Sequence, residues 1–247
     1  MHPGGIRDDR HRYPIACLRR ILGRASAVRI DHVMGLHRLF WIPRGFGASD
    51  GAYVEYPADE LYAIACLEAS RQDTMLVGED LGTVPDGVRE MMEARGLRRS
   101  YVLQFSLEPD PQHAMQVPPT ASLASANTHD TPPFAAFWRD SDPALRDALT
   151  AYLRGRGRLS DGTGQADAAS VLRACLDELA VGDVETVLVN VEDLWDELEP
   201  QNVPGTSGED ALNWRRRARH GIEQMFELPE VRDTLRHIDG LREQGNA

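Results

Sequence analysis

Three carboxylates each close a short apolar run in this chain. Asp31 follows Ala27-Val28-Arg29-Ile30, Glu79 follows Met75-Leu76-Val77-Gly78, and Asp130 follows the run that starts at Ala124; His32, Asp80 and His129 are their immediate neighbours. Carboxylates in twos and threes are the usual equipment for cleaving glycosidic bonds, one attacking carbon and another handling the proton. Arg29 and Asp31 are two apart on a strand, so they share a face. A guanidinium beside a carboxylate holds it ionised, which suits a nucleophile; the same pair also reads as a plain ion pair at a strand end. Glu79 ends an apolar strand beside Asp80, and burial with like charge favours the protonated form that a general acid needs. Alternatively, Glu79 or Asp80 caps the helix that follows Gly82. The His129-Asp130 pair precedes Pro132-Pro133, whose rings stiffen the turn; it could bond sugar hydroxyls or satisfy loop backbone. The weight lies in three acids, in order, each at the same end of a strand.

Aromatic residues gather after the first and third acids: Phe40, Trp41, Tyr53, Tyr56, Phe134 and Trp138. Rings stack on the apolar faces of sugars, but at least half of these are expected to pack a core instead. Histidine–acid pairs on barrel strands also build metal hydrolase sites. Here His32 and His37 are five apart and no H-x-H or H-E-x-x-H occurs, so neither a catalytic metal nor a cofactor is expected. Gly45-x-Gly47 and Gly155-x-Gly157 neither follow a strand nor open a helix, which makes them poor phosphate sites.

The acids need elements to position them. Helical spacing is read over residues 13–23, 57–71, 85–95, 142–153, 168–179 and 228–243, with Thr83-x-x-Asp86 as a capping box and Asp167 as an N-cap. Strands are read at 27–31, 75–78, 101–105, 124–128 and 186–191, with a glycine- and aromatic-rich loop over 35–56 and a glycine-rich link over 155–164. Helices alternating with strands imply a parallel sheet covered by helices, where the C-terminal strand ends open on one chemical face. Five strands fall short of the eight of a closed barrel. The fold class is therefore α/β, the C-terminal part of an incomplete (β/α)8 TIM barrel, with residues 1–227 as the catalytic domain and 228–247 as a helix packing on it.

Bulk properties fit that reading. The 247 residues are 42% hydrophobic and 27% charged, as in a globular protein. A net charge of -12 argues against nucleic acid as a partner. No run is long enough for a membrane span, and the charged residues 1–12 are no secretory signal. Cys17, Cys66 and Cys175 form no C-x-x-C pair, which points to reduced, buried thiols in a cytoplasmic protein.

Three segments then carry a resemblance. VRIDHVMGLHRLFWIP (28–43), VGEDLGTVP (77–85) and ANTHDTPP (126–133), with QNVPGT (201–206) and Asn213-Trp214-Arg215 behind them, resemble the 4-α-glucanotransferases, the amylomaltase or disproportionating-enzyme family (glycoside hydrolase family 77). The resemblance implies Asp31 as nucleophile, Glu79 as acid/base and Asp130 as transition-state stabiliser. Arg29, His32, His129, Trp41 and Tyr53 would bind substrate. It implies retaining transfer between α-1,4-glucans; a hydrolase of the same clan and a non-catalytic glucan- or partner-binding remnant are the alternatives. Thr131 and Val33-Met34 depart from the family pattern. Members also carry a longer N-terminal half with the first barrel strands, so a fragment, split product or truncated relative is expected here, partnered by an N-terminal half-barrel chain or by itself.

Overall fold

A computed structural model describes residues 2–161, 166–208 and 212–245. They divide into two units, Met1–Ser100 and Tyr101–Ala247.

The first unit runs through α1 (Pro3–Asp8), α2 (Arg12–Leu22), β1 (Ala27–Ile30), β2 (Arg38–Trp41), β3 (Ala52–Glu55), α3 (Ala58–Gln72), β4 (Met75–Gly78) and α4 (Val88–Ala94) to β5 (Arg98–Val102), which crosses the division. β1 lies parallel to β4 with Ala27 opposite Met75 and Ile30 opposite Gly78. β4 continues parallel to β5, Gly78 opposite Arg99. α3 forms because Leu61, Tyr62, Ala65, Glu68 and Ala69 recur at helical spacing and are buried together. Asp59 and Glu60 complement its N-terminal dipole, and Asp73 ends it in a left-handed conformation. The buried Glu68 is clasped by Arg19 of α2 through two bonds of 2.8 and 2.9 Å and by Arg71 at 2.8 Å. The hydrogen bond from Arg19 holds the Glu68 carboxyl below the ordinary carboxylate range.

Three expectations change in this unit. The 35–56 loop contains an antiparallel hairpin, β2 against β3, with Phe40 opposite Tyr53 and Trp41 opposite Ala52. The helix read from 85 opens only at Val88, because Gly87 at its N-terminus takes φ 82°, outside helical space; no capping bond comes from Thr83. The strand read at 101–105 runs from Arg98 to Val102, and a 3-10 turn takes Leu103–Phe105.

The second unit contains β6 (Ser122–Ser125), α5 (Phe134–Asp140), α6 (Pro143–Gly155), α7 (Ala168–Val181), β7 (Thr186–Leu188), α8 (Ile222–Glu227) and α9 (Pro229–Gly245). β6 and β7 are parallel, Leu123 opposite Thr186 and Ser125 opposite Leu188. Both are shorter than read. The chain beyond β6 turns to present Asn127 to Asp130, and the chain beyond β7 winds into a 3-10 turn over Val191–Trp195. Asp142 and Asp167 cap α6 and α7, accepting from Ala144 and Ser170 N–H at 2.7 and 2.8 Å. Leu149, Leu153, Val171, Cys175 and Leu176 fill the core with Phe134 and Trp138. α9 packs on α7 through Ile238. The 155–164 link is partly helix, ending α6 at Gly155; residues 162–165 of it lie outside the described residues. Within each unit the sheet strands are parallel and alternate with helices, the α/β pattern expected. Among the described residues no helix is long and apolar enough to cross a membrane.

Candidate active site

The register of β1 on β4 decides where the first two acids sit. Ile30 and Gly78 are partners at the C-terminal ends of adjacent parallel strands, so Asp31 and Glu79 leave the sheet at the same level. Gly78 leaves room there: a Cβ would fall 2.7 Å from Met92 Cε and 3.0 Å from Val33 Cγ2, so the Met92 side chain would have to shift to admit one. Arg29 Nη1 meets Asp31 Oδ1 at 2.7 Å, and Arg29 Nη2 lies 4.0 Å from Glu79 Oε2. The two carboxylates therefore differ sharply in setting while sharing one guanidinium. Asp31 is open, its side chain 74% exposed, whereas that of Glu79 is 12% exposed. Glu79 is aimed by backbone: His32 N–H donates to Oε2 at 2.7 Å and Leu81 N–H to Oε1 at 2.9 Å. The first of these bonds needs His32 in a left-handed conformation, φ 46°, an uncommon state for a residue with a Cβ.

Asp80 faces elsewhere. It is buried and accepts Arg89 Nε at 2.9 Å, Arg99 Nε at 2.8 Å and Ser100 N–H at 3.1 Å. The reading of Asp80 as like charge acting on Glu79 is corrected by this: two guanidiniums offset it, and it ties β4 to α4 and β5.

Trp41 and Tyr53 stand on the hairpin, both exposed. Tyr53 meets Phe40 edge-on at 5.2 Å and carries the Arg38 guanidinium 4.1 Å above its ring. Because Tyr53 is opposite Phe40 and not Trp41, strand alternation places Trp41 and Tyr53 on opposite faces. Phe134 and Trp138 are buried core residues, not sugar platforms.

In the second unit Asp130 sits in a turn closed by threonines. Its N–H donates to Thr128 Oγ1 at 3.2 Å, and Thr131 Oγ1 accepts from Thr128 N–H at 3.0 Å. Its carboxylate is met by His129 Nε2 at 3.3 Å and by Asn202 Nδ2 at 2.6 Å. The His129 ring lies 5.4 Å from Trp214, tilted against it. Trp214 is exposed, at φ 59°, held by its N–H on Gln201 O at 2.8 Å. A cavity of about 360 Å³ opens here, lined among others by Thr128, His129, Glu192, Gln201 and Trp214. Asn202 and Trp214 have no role assigned from sequence; both belong to the segments quoted for the resemblance, and only their placement shows what they touch. Among the described residues no three His, Cys, Asp or Glu side chains come together as a metal ion would need.

Acids at the mouths of parallel strands, one open beside a guanidinium and one held by backbone, can together attack a carbon and handle a proton. A family model described as 4-alpha-glucanotransferase matches residues 1–223. The chain belongs to this family. A 4-alpha-glucanotransferase of Haemophilus influenzae is 44% identical over 124 residues, half of this chain and 18% of that protein. One of Mycobacterium bovis is 33% identical over 239 residues, 86% of this chain and 33% of that protein. The matched portion thus spans a third or less of the length of these relatives. Among solved structures, amylomaltase from Corynebacterium glutamicum superposes with TM-score 0.80 at 23% identity, covering 97% of this chain and 39% of that one. That likeness is one of fold: this 4-alpha-glucanotransferase family member has the architecture of part of a (β/α)8 barrel.

Proposed function

We propose that this chain carries the catalytic acids of a 4-alpha-glucanotransferase acting on α-1,4-glucans by a retaining double displacement. The observation that supports it most directly is Arg29 placed between an open Asp31 and a backbone-held Glu79 at the ends of β1 and β4. In this reading the Asp31 carboxylate attacks the anomeric carbon and forms a glycosyl ester, while Glu79 gives its proton to the departing glycosidic oxygen. The 4-hydroxyl of a second glucan then attacks the same carbon, Glu79 takes back its proton, and Asp31 leaves. Two inversions restore the α linkage. Asp130, steadied by Asn202 and His129, stabilises the positive charge that develops on the ring. Arg29, His32, His129, Trp41 and Tyr53 hold sugar. Residues 228–247 belong with the catalytic portion. A cytoplasmic location is supported by three free cysteines.

Incubation with maltotriose tests this. Transfer yields glucose together with a ladder of longer maltooligosaccharides. Glucose and maltose in step with new reducing ends, and no ladder, would mean hydrolysis and overturn the transferase reading.

A further inference from the structure

Asp193, in the 3-10 turn after β7, is 3% exposed, and the hydrogen bonds drawn to it among the described residues come from neutral groups. Its Oδ1 accepts the Phe134 N–H at 2.7 Å, and Asn127 Nδ2 reaches Oδ2 at 2.8 Å and Oδ1 at 3.1 Å. Phe134 is the first residue of α5, so the carboxylate fills the acceptor position that an N-cap side chain would otherwise take. The direction of the Asn127 amide is fixed from its other side, because Asn190 Nδ2 donates to Asn127 Oδ1. A carboxylate without a cation is costly to bury unless every acceptor is used. What this one secures is specific. Its two partners bracket the turn of residues 128–133, which contains His129 and Asp130; among the described residues, the side chains that tie this turn from elsewhere in the chain, Gln104 on Pro132 O at 2.9 Å and Asn202 on Asp130 at 2.6 Å, do so at exposed positions.

We propose that Asp193 is a positioning residue for Asp130: one buried carboxylate grips both ends of the turn and sets where the His129–Asp130 pair stands. Asp193 does not touch substrate in this scheme. It acts through Asn127 and the α5 N-terminus. The kinetic consequence rests on the transferase reading; the structural one does not.

Asp193→Asn removes an acceptor and turns an amide donor toward the Asn127 amide. The double variant Asn127→Asp, Asp193→Asn exchanges the partners, so that donor and acceptor match again while the carboxylate now at position 127 still accepts from Asn190. Two readouts separate the claims. The first is amide hydrogen exchange at Thr128–Thr131 and Phe134 in the full chain, which needs no activity. Exchange there is expected to rise at least tenfold in Asp193→Asn, with α6 and α7 unchanged, and to return toward the parent in the exchanged pair. The second is maltotriose transfer by the chain, alone and with the N-terminal portion of a relative added. Here kcat is expected to fall at least tenfold with KM within twofold, and to recover in the exchanged pair. A parent without transfer sinks the functional reading and leaves the exchange readout to decide Asp193. Unchanged exchange at the turn, or exchange raised throughout the unit and not rescued by the pair, overturns the positioning role. Should Asp193→Asn not fold, Asn127→Ala removes the same grip from the other side, and the same local rise is required of it.

Discussion

Asp31 is the residue whose loss the mechanism tolerates least. Asp31→Asn keeps the shape and leaves Arg29 beside an amide, so the fold should survive while the attacking oxygen is lost. Transfer should drop by far more than tenfold, a barrier increase well above about 1.4 kcal/mol. Activity within tenfold of the parent in a maltotriose assay removes Asp31 as nucleophile. Asp193 supports a different kind of expectation, in stability against pH. Burial pushes its pKa from 3.8 up to about 6, with Glu192 and Asp196 adding to the rise and the Phe134 N–H and Asn127 opposing it. A raised carboxyl pKa means that the folded state holds this proton more tightly than the unfolded chain does. Below about pH 4 both states carry it and its ionisation costs nothing. As pH rises from about 4 to about 6 the unfolded chain ionises first, and stability falls by up to about 3 kcal/mol before levelling. Asp193→Asn lacks that slope. The measured difference, parent minus variant, should therefore decline across this window in urea melts; a flat or rising difference contradicts the raised pKa.

At the scale of elements, Arg242 ties α9 down. Its Nη1 donates to Ala180 O and Gly182 O at 3.3 and 3.2 Å, and its Nη2 to Val184 O and Glu185 O at 2.6 and 3.1 Å. These carbonyls leave the end of α7 and lead toward β7, so one guanidinium closes the helix end and the connection together. Arg242→Ala should cost about 2 kcal/mol. Arg242→Lys should recover only part of it, because an ammonium does not fan donors in a plane; full recovery in chemical denaturation would show that charge alone matters. Elements are legible in the sequence where one physical signal dominates. β4 is a continuous apolar run, and α3 and α7 keep their apolar period. β5 begins earlier than its apolar residues suggest because Arg98 and Arg99 are charged and stand outside the apolar run, although Arg99 meets Asp80, two residues beyond β4. The β2–β3 hairpin is hidden by its lack of alternation, since most of its residues stay exposed. α5 is obscured by Pro132-Pro133, which end a turn and begin a helix at once. The candidate acids are legible because each follows a strand. Asp193 is not, for Asn127 and Phe134 come about 60 residues earlier in the chain and nothing local marks the pairing.

For the molecule as a whole, the question is what the 247 residues can do by themselves. β1 has β4 as its one strand neighbour among the described residues, and β7 has β6, so each offers an unpaired backbone edge, the template on which strands add or chains aggregate. Val28 and Ile30 of β1 are only half-buried, and Phe40, Phe46 and Tyr53 are 45, 65 and 58% exposed. Covering such side chains is worth about 1.5–3 kcal/mol apiece, set against a total stability of about 5–15 kcal/mol for a domain. The relatives are two to three times longer, so under the proposed function some of the binding energy that drives the reaction is expected from parts beyond these residues. Catalysis does not depend on a metal in the proposed scheme, so EDTA should leave transfer unchanged, and a loss restored by zinc or calcium would demand a different mechanism. The purified 247-residue polypeptide should accordingly self-associate and transfer glucan weakly. Co-expression with the N-terminal portion of a family member should raise both its soluble yield and its rate on maltotriose, and should protect the amides of β1 from exchange, the strand whose free side would gain a neighbour. A monodisperse monomer with a single sharp melt and a rate equal to that of a full-length relative would show instead that these residues close their own edges and complete their own sugar sites.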